Sequence, residues 1–132
     1  MKGKILLIDD DERIIKMYKK MFEYSFENKE CPVLLTAPSV EKSRKLFNDN
    51  FKEIIAIVLD GKIEGPDAPN DNTGTYPNSA VLVKEFRTVY AGPIIASSCH
   101  ETSREILMRE GCDHQCDNKA HVVDFIVKLL GL

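Results

Sequence analysis

The chain alternates short, unbroken apolar runs with segments whose apolar residues recur three and four positions apart. The run KILLI at 4–8 predicts a strand. Ile14, Ile15, Tyr18, Met21 and Phe22 then share one face of a helix predicted over 12–24. PVLLTA predicts a second strand at 32–37, after which Ser39 is placed to cap a helix running to about 48. IIAIVLD predicts a third at 54–60, apolar at every position until Asp60, as a strand buried on both faces is. Residues 61–77 carry three glycines, three prolines and several Asx residues, the composition of a long loop. Asn78 is placed to cap a helix reaching about 90 on Val81, Leu82, Glu85 and Phe86. PIIASS at 93–98 predicts a fourth strand. A helix over 101–110 ends at Gly111, and a short strand is expected at 113–117. The last helix, 119–130, turns Val122, Val123, Ile126, Leu129 and Leu130 inward.

Five strand–helix units in succession predict an α/β fold with a parallel sheet between two helix layers. In such sheets ligands gather beyond the carboxyl ends of the strands. The residues at those ends are Asp9 and Asp10 after the first strand, Asp60 after the third, Ser97 and Ser98 after the fourth, and Lys119 just beyond the fifth. Asp9, Asp10, Asp11 and Glu12 follow one another without a spacer. Carboxylates this close repel, and desolvating them is costly unless a cation compensates. Mg²⁺ suits hard oxygen ligands of this kind. A lone carboxylate at the third strand's end can act as a nucleophile toward phosphorus. Lys119 and a hydroxyl from the fourth strand would then stabilise the phosphoryl oxygens. The plainer readings are that Asp11 and Glu12 favour the positive end of the first helix, that Asp60 merely opens a loop, that Ser97 points into the core or a helix face, and that Lys119 is an exposed first-turn lysine.

Composition narrows the classes. A chain of 132 residues with 43% hydrophobic and 30% charged content suits one domain with one core, 1–132, with no effector domain after it. The net charge of −3 offers no basic surface for nucleic acid. After Lys2 and Lys4 the apolar run is too short for a signal peptide, and no run is long enough to span a membrane. Cys31, Cys99, Cys112 and Cys116 form no spaced framework, so reduced thiols and a cytoplasmic location are expected.

ILLIDDD, IVLD, PIIASS and a lysine after the fifth strand, in this order, resemble the receiver domain of two-component response regulators over essentially the whole chain. The resemblance implies a flavodoxin-like (βα)5 fold with strand order 2-1-3-4-5. It implies Mg²⁺ held by Asp9, Asp10 and Asp60 with the backbone carbonyl of Lys62, and Asp60 as phospho-acceptor. It implies Ser98 as the switch hydroxyl, followed by Cys99 where a small residue is usual, and Lys119 as the phosphate-contacting lysine. The expected activity is that of a stand-alone, Mg-dependent signalling switch with at most weak self-phosphorylation and autodephosphorylation. Its partners would be a histidine kinase or histidine phosphotransfer protein and a downstream protein.

The chain departs from the family at several points. Lys119 is followed by Ala120, not proline, and lies one residue late, so Asn118 stands in the expected place. A bulge would let Lys119 reach in; otherwise Asn118 occupies the position. Gln115 stands where an aromatic switch residue is usual, and the loop after Asp60 is much longer than the family's turn. These departures support an alternative, a degenerate receiver that binds partners without phosphorylation. A further alternative is a Mg-dependent phosphohydrolase with an aspartate nucleophile. Cys112, His114 and Cys116 alternate as on one face of a strand, where with His100 or Cys99 they could be read as zinc ligands, but the spacing is not that of a knuckle and buried free cysteine is the plainer reading. His100 and His121 are expected at the surface. Tyr76, Asn70, Asp71 and Asn72 are expected to decorate the long loop, whose length alone suggests a docking role.

Overall fold

The computed structural model describes residues 3–69 and 71–132; Met1, Lys2 and Asn70 lie outside the described residues. The elements are β1 (Lys4–Ile8), α1 (Glu12–Ser25), β2 (Val33–Ala37), α2 (Val40–Asn50), β3 (Ile54–Leu59), α3 (Ala80–Arg87), β4 (Ile94–Ala96), α4 (Glu101–Glu110), β5 (His114–Gln115) and α5 (Val122–Leu130). All strand pairs are parallel, in the order β2-β1-β3-β4-β5. The expected fold class, including the strand order, is therefore the observed one.

The apolar alternation explains the layers. Leu6, Ile8, Ile57, Leu59, Ile94 and Ala96 point to the face covered by α2, α3 and α4, where Phe47 and Phe86 stack with ring centroids 4.0 Å apart. Ile5, Leu7, Ala56, Val58 and Ile95 point to the opposite face, against Tyr18 and Phe22 of α1 and Val122, Val123 and Ile126 of α5. Strands that bury both faces leave no polar stripe, which is why β3 reads as continuous apolar sequence.

Local chemistry sets the helix starts. The Asp11 side chain accepts from the Arg13 amide at the head of α1, and Ser39 accepts from the Lys42 amide at the head of α2. α3 departs from expectation. Asn78 is not its cap: Oδ1 accepts from the Ile63 amide (2.9 Å) and Nδ2 donates to the Ile63 carbonyl (2.8 Å) and the Pro66 carbonyl (3.2 Å). A buried Asn that satisfies loop backbone satisfies more groups than one at a solvated cap, so the helix begins at Ala80 and ends at Arg87 rather than near 90. The last helix is also shorter than expected, because Lys119–His121 form a 3₁₀ turn before it. Leu129 faces outward, 36% exposed, while Leu130 packs inward. β4 and β5 are shorter than the apolar pattern suggests, since ladder pairing stops at Ala96 and Gln115.

The described residues of the 61–77 segment form a loop, as expected, but one tied down by hydrogen bonds. Glu64 bridges to Ser39, with the Val40 amide bonded to its carbonyl (2.9 Å). Asp71 gathers the amides of Thr73, Gly74 and Tyr76 at 3.1–3.2 Å on its carboxylate. No helix among the described residues is long and apolar enough to cross a membrane.

Candidate functional site

Because all five strands run the same way, their carboxyl ends share one rim of the sheet, and the chemistry-bearing residues converge there. Ile8 pairs with Leu59 in adjacent strands, so Asp9 and Asp60 leave the ladder side by side. One carboxylate oxygen from each of Asp9, Asp10 and Asp60 lies within 4.8 Å of the others. Asp9 is buried, with its side chain 1% exposed. Its Oδ1 accepts from the Asp11 amide (2.9 Å) and its Oδ2 accepts from Lys119 Nζ (2.8 Å). Asp60 Oδ1 accepts from the Gly61 amide (2.9 Å), and Oδ2 lies 3.3 Å from the same ammonium.

Lys119 therefore reaches the site, without a strand bulge. The turn at 119–121 supplies the reach: Asn118 caps it, its Oδ1 accepting from the Ala120 amide (2.9 Å), which turns Asn118 outward and Lys119 inward. Asn118, the alternative at the lysine position, has its side chain engaged as the cap of this turn instead. The plain reading of Lys119 as an exposed lysine is likewise set aside, since its side chain is only 12% exposed.

Electrostatics follow from this packing. Burial pushes the Asp9 carboxyl above its usual range, and the neighbouring charge of Asp60 adds to it; the bonds from Lys119 and the Asp11 amide pull the other way without cancelling it. Asp10 is also raised, first by desolvation and then by the Asp9 charge. Burial works against the Lys119 ammonium, but Asp9 and Asp60 outweigh it and hold its titration above that of a free lysine. One ammonium faces three carboxylates, so the cluster keeps a surplus of negative charge directed at one point. The donors are hard oxygens, and Asp10, exposed at the rim, leaves the point open to water. Such a donor set fits a small divalent cation such as Mg²⁺.

Ser98 is buried at the end of β4 and lines the same cleft as Asp60 and Lys119. Its Oγ accepts from the His100 amide (3.2 Å). Ser97 is buried, with its hydroxyl beside that of Tyr18. Lys62 is exposed on the cleft wall and its ammonium pairs with Asp67. The cleft measures about 890 Å³, and the 71–76 part of the long loop forms its wall opposite the start of α4. Tyr76 is thus more than decoration: it packs on the core and borders the cleft. Asn70, which the sequence places with it, is outside the described residues.

Cys112, His114 and Cys116 are not gathered as zinc ligands, in line with the plainer reading. Cys112 is buried, with burial pushing its thiol up to about 12, and His114 packs its ring against Phe125. The Cys116 thiol bonds the Asn118 carbonyl. Among the described residues, Asp9, Asp10 and Asp60 form the one cluster of three or more such ligands. Arg104 was not singled out by its sequence pattern, since an arginine on a helix surface looks like any other. It donates from Nη1 to the Ser98 carbonyl (2.9 Å) and from Nε to Gln115 Oε1 (3.2 Å).

No family model matches the chain, and no curated protein matches it. Solved structures do. A response regulator receiver domain protein (CheY-like) from Methanospirillum hungatei JF-1 superposes with a TM-score of 0.73 at 15% identity, over 99% of this chain and 95% of that one. This chain has the receiver-domain fold. A receiver domain protein from Clostridium thermocellum gives a TM-score of 0.66 at 20% identity, over 97% and 98% of the two chains. An atypical orphan response regulator, described as having a phosphorylation-independent regulatory mechanism, gives 0.67 at 12% identity, over 98% and 96%. In the receiver fold the strand-end rim described above is the place where strand order reverses about β1 and β3.

Proposed function

We propose that the chain is a receiver that accepts a phosphoryl group on Asp60 from a histidine kinase or histidine phosphotransfer protein. The observation that carries this reading is the convergence of the Asp9, Asp10 and Asp60 oxygens within 4.8 Å, with Lys119 bonded into the cluster. Asp9, Asp10, Asp60 and the Lys62 backbone carbonyl would hold Mg²⁺. The ion, when bound, would supply positive charge to the phosphoryl oxygens.

The chain's own groups account for the rest. Asp60 Oδ1 is fixed by the Gly61 amide, so the carboxylate is oriented before any donor arrives. Its Oδ2 attacks phosphorus, the bond from phosphorus to the donor nitrogen breaks, and an aspartyl phosphate remains. The Lys119 ammonium, already 3.3 Å from that oxygen, neutralises charge on the transferred group. The Ser98 hydroxyl, on the same cleft, donates to one of its oxygens. A shift in the loops after β3 and β4 then changes partner binding.

Incubation with Mg²⁺ and a small acyl phosphate tests this. The intact protein should gain the mass of one phosphoryl group, and Asp60→Asn should abolish the gain. An unmodified wild-type protein at saturating donor would refute the reading. The second reading is a phosphorylation-independent interaction module. Two features favour it: Lys119 bonds Asp9 more closely than Asp60, and a polar residue, Gln115, stands on β5 where the family resemblance leads one to expect an aromatic. The atypical orphan regulator shows that this fold hosts such a mechanism.

A further inference from the structure

We propose that Arg104 is a positioning residue that couples Ser98, on the cleft, to Gln115, on the exposed edge of the sheet. The coupling rests on the phospho-acceptor reading only for what drives it, not for the link itself.

Ser98 lies two residues past the end of β4, so its backbone groups have left the ladder, yet the residue is buried. A buried carbonyl requires a partner. It finds one in Arg104 Nη1 at 2.9 Å, reached from the first turns of α4. The start of that helix is tied to Ser98 a second time, because the His100 amide donates to Ser98 Oγ and the Arg104 amide donates to the His100 carbonyl (3.0 Å). Ser98, His100 and Arg104 thus form one closed unit. A guanidinium is planar and carries five donors, so holding one acceptor fixes where the others point. Here the Nε–H points at Gln115 Oε1, 3.2 Å away.

Gln115 belongs to a two-residue edge strand that pairs with β4 through Ile95↔His114 and Ala96↔Gln115. So short a strand is weakly fixed by its ladder, and a side-chain tie from α4 carries weight in setting it. Turning the Ser98 carbonyl rotates the guanidinium, and the rotation releases or redirects the Gln115 amide at an exposed edge. A hydroxyl drawn toward a phosphoryl group on Asp60 supplies that motion, since the hydroxyl and the carbonyl belong to the same residue. Arg104 touches no reacting atom.

Two-dimensional amide NMR tests the link in two arms. In the resting protein, Gln115→Ala should shift the Cys99 and Arg104 Nε–H signals. In an Arg104→Ala background the same substitution should leave Cys99 unmoved. An equal Cys99 shift in both backgrounds would mean that β4 carries the effect directly, and would overturn the proposal. In the second arm, Mg²⁺ and acyl phosphate should move the Gln115 side-chain amide in wild type, by at least twice as much as in Arg104→Ala, and not at all in Asp60→Asn. A full-sized shift in Arg104→Ala would overturn the coupling. Absence of a phosphoryl mass gain would sink the phospho-acceptor reading instead, while the resting arm still decides the link. Arg104→Lys keeps the charge but lacks the fork; it should restore the Ser98 contact and not the transmitted shift, which guards against a folding artefact in the alanine variant.

Discussion

At the scale of single residues, Lys119 is the group on which the site's electrostatics turn. It is nearly buried between Asp9 and Asp60, and its bond to Asp9 links positions 110 residues apart in sequence. Removing one partner of a buried pair leaves the other charge uncompensated, which costs about 3 kcal/mol. Lys119→Met is therefore expected to lower unfolding free energy at neutral pH by about that amount in urea titrations. Asp9→Asn added to it should recover much of the loss, because the stranded charge is then gone. Additive losses in the double variant would mean that Asp9 and Lys119 do not depend on one another. The sequence showed Lys119 in the right region but left Asn118 as a rival, and for a physical reason: a one-residue offset reverses which side chain faces in. What resolves it is the Asn118 cap on the 3₁₀ turn, a signal of the Asx-before-helix kind that was present in the sequence.

At the scale of elements, strands and helices were legible because burial on both sheet faces writes long apolar runs, and helices write a 3.6 period. Asp9 and Asp60 were legible for the same reason, as the first polar residues after such runs. The long loop was legible as a loop but not as an ordered wall of the cleft. Its order comes from side chains that bond distant backbone, and that leaves no period to read. Asn78 is the plainest instance. Sequence alone made it a cap; in the fold it satisfies both backbone groups of buried Ile63 and the Pro66 carbonyl. Asn78→Ala strands the two Ile63 groups away from water, at about 1–3 kcal/mol for the pair, and frees the Pro66 carbonyl to solvent. The expected result is a loss of roughly that size in chemical denaturation, together with faster proteolytic nicking within 65–77. A variant as stable and as resistant as wild type would show that the loop is held by its Asp71 and Glu64 contacts instead. Arg104 was illegible on the same grounds, since its two acceptors lie on different elements.

At the scale of the whole molecule, the fold gathers more negative charge at one rim than its own ammonium balances, and stability must report this. The sign is fixed by the raised titrations of Asp9 and Asp10. A carboxyl whose folded-state titration lies above its unfolded one contributes stability that is fully present below the ordinary carboxylate range and is lost as pH rises through the folded-state value. Without a divalent ion, these two groups should therefore make the protein less stable as pH rises from the ordinary carboxylate range through their folded-state titrations. Asp10 is exposed, so solvent screening limits its share to about 1 kcal/mol or less. Mg²⁺ should reverse the trend at neutral pH. An ion bound only by the folded state at 100 times its dissociation constant adds about 2.7 kcal/mol. Its effect should fade as pH falls, because protons then compete for Asp9 and Asp10. Thermal unfolding across pH, with Mg²⁺ and with chelator, checks both slopes. Asp10→Asn should flatten the metal-free slope and weaken the Mg²⁺ gain together, since one carboxylate is responsible for part of each. A Mg²⁺ gain unchanged in Asp10→Asn would place the ion elsewhere on the molecule, and the three-carboxylate cluster would lose its claim to bind it.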